Sequence, residues 1–320
     1  MLPLGVVIPT KNSMPYLQEH LANLSAWIDL AEQVVVVDSF STDGTLEFLK
    51  QKLCHRNIRF VDHPPGLYAS WNHGIREISS KYCYISTVGD SITRSGIMHL
   101  INTATHLHCD VLVSRPEFVN EVGHSISGPQ WPLDEVIEAL RVNEPKLLDP
   151  IIMVACTLKH TGGAMTGSCG SDLFLTRALQ EHPFPTNYGT AGDGPWSMKN
   201  AVCLTWAVTP QIFSTFRQHP SAASKPEILA GKLSFDYSDR ATALFNEWMA
   251  NYGEKYEITS GDLKKLLLIS IECEKAQREY NTLRKEFWPW ILRPSVWALR
   301  SRRNRYKQIT SALMLELLHQ

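Results

Sequence analysis

Three aspartates stand where apolar runs give way to turn residues, positions at which a carboxylate can meet a ligand. Asp38 follows Val34-Val35-Val36-Val37, and Asp90 follows Tyr82-Cys83-Tyr84-Ile85-Ser86 by way of Val88-Gly89. Asp193 lies between glycines in Gly189-Thr190-Ala191-Gly192-Asp193-Gly194-Pro195-Trp196. Carboxylates so placed can accept a ligand N–H, hold a divalent cation against phosphates, or take a proton from a hydroxyl. Asp90 suits the second task, because Mg2+ or Mn2+ needs little more than one carboxylate plus substrate phosphates. Gly89 beside it would let a diphosphate come close to the backbone. Asp193, presented on a tight glycine-flanked turn, suits the third. A plainer role competes at each place. Asp38 and Ser41 could simply cap and turn, Asp90 could be the N-cap of the next helix, and Asp193 an ordinary turn aspartate.

Several other chemistries are excluded. The first strand is followed by Pro9-Thr10-Lys11-Asn12 rather than G-x-G-x-x-G, which argues against a dinucleotide enzyme. Gly162 to Ser168 has phosphate-loop spacing without the lysine, and no G-x-S-x-G elbow is present. His106 and His108 are two apart on a predicted helix, so they point different ways and cannot share a metal. The 7 cysteines are odd in number and scattered, with no C-x-x-C pair, as in a reduced cytosolic protein. A formal charge of -1 gives no reason to expect a nucleic-acid partner. No signal-peptide pattern opens the chain, and no run nears the roughly 18 apolar residues of a membrane span, so a cytoplasmic protein is expected.

The four valines read as a strand buried on both faces, since four β-branched residues are too short a run for a helix. Leu4 to Ile8 forms another strand. Then comes a helix with Pro15 in its first turn and a stripe of Leu17, Leu21, Leu24 and Ile28. Asp43 is the expected N-cap of a helix carrying Leu46, Leu49 and Leu53. Strands at Ile58–Val61, Tyr82–Ser86 and Val111–Val113 alternate with helices through Ile75 and Ile78 and through Ile97, Leu100 and Ile101. That alternation means βαβ units and a mostly parallel, doubly wound α/β sheet. Asp38 then sits beyond the carboxyl end of a central strand, where open α/β sheets bind ligands.

Residues 115–160, punctuated by Pro116, Gly128-Pro129, Pro132 and Pro150, read as a lid or specificity insertion. Long helices without strand signals follow Pro226, so the chain divides into residues 1–225 and a helical region, 226–320. Within the latter, Leu266, Ile269, Cys273, Ala276, Tyr280, Leu283 and Phe287 alternate spacings of three and four. The stretch 262–287 is therefore either a homo-oligomer contact or a helix packed on its own domain. Residues 284–307 hold eight basic side chains against one acid, together with Trp288, Trp290 and Trp297. This composition suits a membrane-surface segment; a solvated basic face or an oligomer contact would share it.

Taken in order, Val6-Val7-Ile8-Pro9-Thr10-Lys11-Asn12 and Val35-Val36-Val37-Asp38-Ser39-Phe40-Ser41-Thr42-Asp43-Gly44-Thr45 resemble the opening of a family 2 glycosyltransferase of the GT-A fold. Gly66-Leu67-Tyr68-Ala69-Ser70-Trp71-Asn72-His73-Gly74-Ile75 resembles a subgroup pattern, G-I-Y-D-A-M-N-K-G-I. Val88-Gly89-Asp90-Ser91 is similar to that subgroup's reduced metal motif. The likeness covers residues 4 to 100 well; beyond them it rests on Asp193 and on His219-Pro220-Ser221-Ala222-Ala223-Ser224.

The resemblance implies a Rossmann-like GT-A domain with a C-terminal helical appendage. It implies transfer of one sugar from a nucleotide-diphosphate sugar to a glycan or lipid-linked acceptor in surface-polysaccharide synthesis. Pro9, Thr10, Asn12, Asp38 and Ser41 would hold the nucleoside, with Tyr68 and Asn72 lining the donor pocket. Gly89 and Asp90 would meet the diphosphate, Asp90 and His219 would hold Mn2+ or Mg2+, and Asp193 would be the base of an inverting transfer. The composition of 284–307 would place the cytoplasmic protein either free in the cytoplasm or peripherally at the inner face of the cytoplasmic membrane. The chain departs from the family at Ser39 and Phe40, which replace a second aspartate and a glycine. Two other readings share the fold: a non-catalytic nucleotide-sugar scaffold and a sugar-nucleotidyltransferase, the latter lacking its Gly-rich basic loop here.

Overall fold

The computed structural model describes residues 1–53, 55–128, 131–160, 164–165, 168–218, 237–255, 257–286 and 294–318. The expected alternation is present as β1 (Leu4–Thr10), α1 (Met14–Ser25), β2 (Gln33–Asp38), α2 (Thr45–Lys52), β3 (Ile58–Asp62) and α3 (Leu67–Arg76). It continues through β4 (Tyr82–Ile85), β5 (Ser91–Ile92), α4 (Arg94–Leu107) and β6 (Val111–Ser114). Val34 to Val37 are wholly buried, and they divide between two cores. Val35 and Val37 join Val7, Cys83 and Ile85 on one face of the sheet. Val34 and Val36 join Val6, Ile8, Tyr82 and Tyr84 on the other. Side chains alternate along a strand, so an unbroken apolar run is what a sheet covered on both faces requires.

The main sheet has eight strands in the order β3-β2-β1-β4-β9-β6-β10-β8, with β8 at Lys146–Leu147, β9 at Leu173–Leu175 and β10 at Trp206–Thr209. β9 runs antiparallel to both neighbours and β8 antiparallel to β10; the remaining pairs are parallel. A small sheet, β5-β11-β7, combines β7 (Glu117–Val119) and β11 (Ser214–Arg217) with β5. Helices α1, α2 and α4 cover one face with Leu17, Leu24, Leu49, Ile97 and Leu100. α3 lies on the other face, very close to β1 and β2. A Cβ at Gly74 would come within 2.5 Å of Val7 and 2.8 Å of Val37, so only glycine allows that approach.

Several boundaries differ from expectation. Gly44, with φ +88, occupies the N-cap of α2, and Asp43 reaches past it to accept from the Thr45 N–H at 3.1 Å. Ile28 belongs to a separate 3-10 turn, Ile28–Leu30, and Ile78 lies beyond the end of α3. The N-cap before α4 is Thr93, not Asp90. Residues 115–160, expected as a lid or specificity insertion, are built into the body. There β8 extends the main sheet, while α5 (Pro132–Ala139) and α6 (Pro150–Lys159) bury Leu133, Val136, Met153, Val154 and Leu158 in the larger core. The prolines of this stretch mark helix starts rather than a detached cover: Pro132 and Pro150 each occupy the first helical turn.

The boundary expected near 226 lies outside the described residues. Helix Tyr237–Tyr252 packs on α8 (Asp193–Asn200), and helices Glu257–Glu286 and Pro294–Leu318 pack on each other and on α6. Leu263, Leu266, Leu267 and Ile271 join the core that contains the sheet face, as do Leu313, Met314 and Leu317. The stripe expected at 262–287 is thus covered, among the described residues, by the chain's own last helix. Residues 287–293 lie outside the described part. Trp297 is 49% exposed, with the Arg300 guanidinium 5.5 Å from its ring centre. Trp297, Arg300, Ser301, Asn304, Arg305 and Gln308 share one helix face and line a single shallow depression. No helix of the described residues is long and apolar enough to cross a membrane.

Candidate functional site

The carboxyl ends of β1 and β2 are in register, Thr10 opposite Asp38. The buried Asp38 carboxylate accepts from the Thr10 hydroxyl at 3.0 Å, the Ser41 hydroxyl at 2.6 Å and the Ser41 N–H at 2.8 Å. Those three bonds fill about three of the four acceptor positions on a carboxylate. Asn12 joins the two loops. Its backbone N–H donates to the Ser41 hydroxyl at 2.9 Å, and its side-chain carbonyl accepts from the Thr42 N–H at 2.8 Å. Pro9 pairs with Val37 in the sheet just below them. The turn role weighed for Asp38 and Ser41 is therefore real, and it leaves the pair at the mouth of the strands. Phe40, where the resemblance has glycine, keeps a left-handed φ of +55 and is 56% exposed.

Asp90 is buried one strand further, beyond β4. Its carboxylate accepts from the Thr87 hydroxyl at 2.7 Å, the Ser168 hydroxyl at 3.0 Å and the Arg217 N–H at 3.1 Å. Burial, acting against those bonds, pushes its pKa from 3.8 up to about 6. Gly89, at φ +106, gives its carbonyl to Arg217 Nε at 3.2 Å. Arg217 also pairs with Glu19 and donates to the Glu121 carbonyl at 2.6 Å. His20 supports the same loop, its Nδ1 lying 3.1 Å from the Asp90 carbonyl and its Nε2 3.2 Å from the Ser86 hydroxyl. A carbonyl only accepts, so Nδ1 carries the proton and Nε2 accepts. Burial pushes the His20 pKa down to about 4, which keeps the ring neutral.

Asp193 is the first residue of α8 and half-buried. It lines a water-sized cavity of about 20 Å³ together with Asp172, Cys169, Phe184, Trp196 and Trp206. Burial holds the Cys169 thiol well above its ordinary range, and the charges of Asp172, Asp193 and Asp90 add to the effect. Asp172 and Asp193 share that cavity with Cys169, and Asp90 accepts from the adjoining Ser168. Asp172 is turned inward, accepting from the Ser114 N–H and the Ser171 hydroxyl, each at 3.3 Å. Tyr68 and Asn72 do not stand at the Asp38 end. They pack against the loop that carries Asp193: the Tyr68 hydroxyl donates to the Thr190 carbonyl at 3.2 Å, and Asn72 is bonded to Phe184.

His219 lies outside the described residues. Among the described residues no group of three His, Cys, Asp or Glu side chains could hold a metal ion. The one carboxylate expected to do so, Asp90, faces three protein donors and the Arg217 guanidinium. The described residues therefore do not fit a preformed Mn2+ or Mg2+ site. His20, Thr87, Ser168 and Arg217 escaped the sequence reading. Only His20 left a trace there, as a polar residue three positions after Leu17 on the core face of α1.

A mostly parallel sheet with carboxylates gathered at its strand ends, and a small sheet beside it, is the GT-A glycosyltransferase arrangement. Residues 1–349 of S. aureus TarS in complex with UDP-GlcNAc align at TM-score 0.55 and 16% identity, over 98% of this chain and 91% of that one. The mannosyltransferase PcManGT of Pyrobaculum calidifontis, in complex with GDP-Man and Mn2+, aligns at TM-score 0.54 and 15% identity, over 99% and 86%. Residues 5–159 match the family model for glycosyl transferase family 2. No curated relative matches the chain. Family match and fold together agree on a GT-A glycosyltransferase fold.

Proposed function

We propose that this chain moves one sugar from a nucleotide-diphosphate sugar to an acceptor hydroxyl, with Asp193 as general base and inversion at the anomeric carbon. The observation that carries the reading is that Asp193 shares a cavity with Cys169 while Asp90 accepts from the adjoining Ser168, two strands from Asp38 in the order β2-β1-β4. Two interstrand steps are about 10 Å, a span suited to a nucleoside with its base at Asp38 and its diphosphate toward Asp90. The UDP-GlcNAc and GDP-Man complexes of the structural neighbours support a donor of this class.

Asp38 and Thr10 would orient the nucleoside, Asp38 accepting from a base N–H. Asp193 would take the proton of the acceptor hydroxyl as that oxygen attacks the anomeric carbon, help typically worth about 10²–10⁴ in rate. Inversion is supported in that, among the described residues lining the cavity with Asp193, Asp172 is the one other carboxylate. Cys169 stays protonated at neutral pH, and Asp172 is held by backbone and hydroxyl donors. No step is assigned to a metal ion. The acceptor would be a glycan or lipid-linked sugar of a surface polysaccharide. The exposed Trp297 with Arg300 and Arg305 supports peripheral contact with an anionic cytoplasmic membrane, the place to find such an acceptor.

One observation favours a second reading. An Asp90 held entirely by protein donors also suits a scaffold that kept the fold without the chemistry. Calorimetry with UDP-GlcNAc and GDP-Man, paired with a donor-hydrolysis assay in manganese and in chelator, separates the two. The transferase reading expects at least one donor to bind and be hydrolysed, and proton NMR of the glycosylated product to show the inverted anomer. Donor binding without hydrolysis in either condition would point to the scaffold, and a retained anomer would remove Asp193 from its role.

A further inference from the structure

The residues of α3 that the resemblance assigns to the donor pocket bond to the loop that carries Asp193. Tyr68 is 3% exposed. Its ring stacks on Phe184 at 5.4 Å and meets Trp71 edge-on at 5.1 Å. Its hydroxyl donates to the Thr190 carbonyl at 3.2 Å, three residues before Asp193. The Asp193 carboxylate also helps to hold the Tyr68 pKa well above its ordinary value, through charge and hydrogen bonding, although burial is the larger cause. Gly192 completes the contact: a Cβ there would come within 2.8 Å of the Tyr68 ring and 2.6 Å of the Pro185 carbonyl.

Asn72, one turn further along α3, makes a closed pair of bonds with a single residue. Its amide N–H donates to the Phe184 carbonyl at 2.8 Å, and its carbonyl accepts from the Phe184 N–H at 3.0 Å. Phe184 in turn packs on Trp196 at 4.8 Å, and Trp196 donates its indole N–H to the His182 carbonyl at 2.6 Å. The chain from Phe184 to Thr190 is thus fastened to α3 at both ends, Asn72 gripping its start and Tyr68 its turn before Asp193. Hydrogen bonds, which weaken steeply off their preferred angle, fix orientation in a way apolar contact does not.

We infer that Tyr68 and Asn72 are positioning residues for the base, clamping the 184–193 loop so that Asp193 faces the acceptor hydroxyl. The inference rests on the transferase reading, and it reassigns both residues from donor binding to loop geometry. A displacement of about 1 Å at a reacting group can lower a rate by about 10²-fold. Ground-state binding of the nucleotide, proposed to rest on Thr10, Asp38 and Asp90, does not depend on that placement.

The test uses the full chain carrying Tyr68→Phe, which keeps the ring contacts and removes only the hydroxyl. Asn72→Ser is the second variant, should one of the two fail to fold. UDP and GDP affinity is measured by calorimetry, and kcat and donor KM in the transfer assay with whichever of UDP-GlcNAc or GDP-Man the wild type uses. The clamp predicts kcat lower by about tenfold or more, with nucleotide Kd and donor KM within twofold of wild type. It also predicts faster amide hydrogen exchange over 184–193 and unchanged exchange in β1 and β2. A higher Kd or KM at unchanged kcat would return Tyr68 to the donor pocket and overturn the inference. So would wild-type kinetics with a folded variant. If the wild type itself binds neither nucleotide, the transferase reading fails first, and the exchange pattern alone still decides the clamp.

Discussion

Replacing Asp90 with asparagine should stabilise this protein at neutral pH, and most of that gain should disappear in acid. The native fold raises the Asp90 pKa from 3.8 to about 6 by burial. The native state therefore binds its proton more tightly than the unfolded chain does. Below 3.8 both states are protonated and the group favours neither; as pH rises through about 6 the charged form must be held in the core. Above that window the burden is roughly 3 kcal/mol, from 1.36 kcal/mol per pH unit. Asparagine can satisfy the same neighbours without a charge. Its carbonyl takes the Arg217 N–H, and its amide can donate to the Thr87 and Ser168 oxygens once their hydroxyls turn. His20 works in the opposite sense. Its pKa falls from 6.5 to about 4, so its contribution is present above 6.5 and lost as pH falls through about 4. Across pH 4 to 6 the two groups oppose each other and partly hide each other's pH dependence. Urea unfolding in chelator should thus find Asp90→Asn more stable than wild type by up to about 3 kcal/mol near pH 7.5, but by only about 1 kcal/mol near pH 4.5. The variant's own stability should fall more steeply into acid, because His20 is no longer offset. An Asp90→Asn protein less stable than wild type at neutral pH, or parallel to it at every pH, would refute this account of the buried network.

The remaining expectations are simpler. Asp193→Asn keeps the shape of the base but cannot take a proton, so kcat should fall by about 10²-fold or more while UDP or GDP binding survives; near wild-type turnover would move the base elsewhere, with Asp172 next to test. Asp38→Ala should raise donor KM or abolish measurable nucleotide binding, and an unchanged KM would leave Asp38 as the turn residue its bonds to Ser41 make it. Phe40→Gly should stabilise the fold by about 1 kcal/mol in a denaturant melt, because it relieves a left-handed φ of +55 at a bulky residue. Arg300→Glu with Arg305→Glu should reduce sedimentation with phosphatidylglycerol vesicles relative to phosphatidylcholine, and equal binding to both lipids would remove the membrane role of that face.

Period and run length made the sheet legible. An unbroken Val34–Val37 needs cover on both faces, and the alternation of apolar runs with helical stripes leaves a doubly wound sheet as the simplest answer. The placement of Asp38 at the carboxyl end of a central strand was legible for the same reason. The C-terminal stripe was legible as apolar but not as to its partner. Leu266 and its neighbours carry the same pattern whether they meet a second copy or the chain's own last helix, and only the packed structure decided for the latter. Residues 115–160 were misread because their dense prolines suggest a loop, whereas Pro132 and Pro150 open buried helices.

Local pattern announces what a residue does to its own backbone; it carries nothing about segments brought near it by the fold. Asp90 looked free to bind a cation because its partners, Ser168 and Arg217, lie 78 and 127 residues away. Nothing near Tyr68 and Asn72 in the chain names Thr190 or Phe184, their partners 122 and 112 residues on. Element type and strand-end placement follow from short-range sterics and the burial of apolar faces, which the order of residues already contains. Which hydroxyl, carbonyl or guanidinium meets each carboxylate follows from long-range closure, and only the tertiary structure holds that.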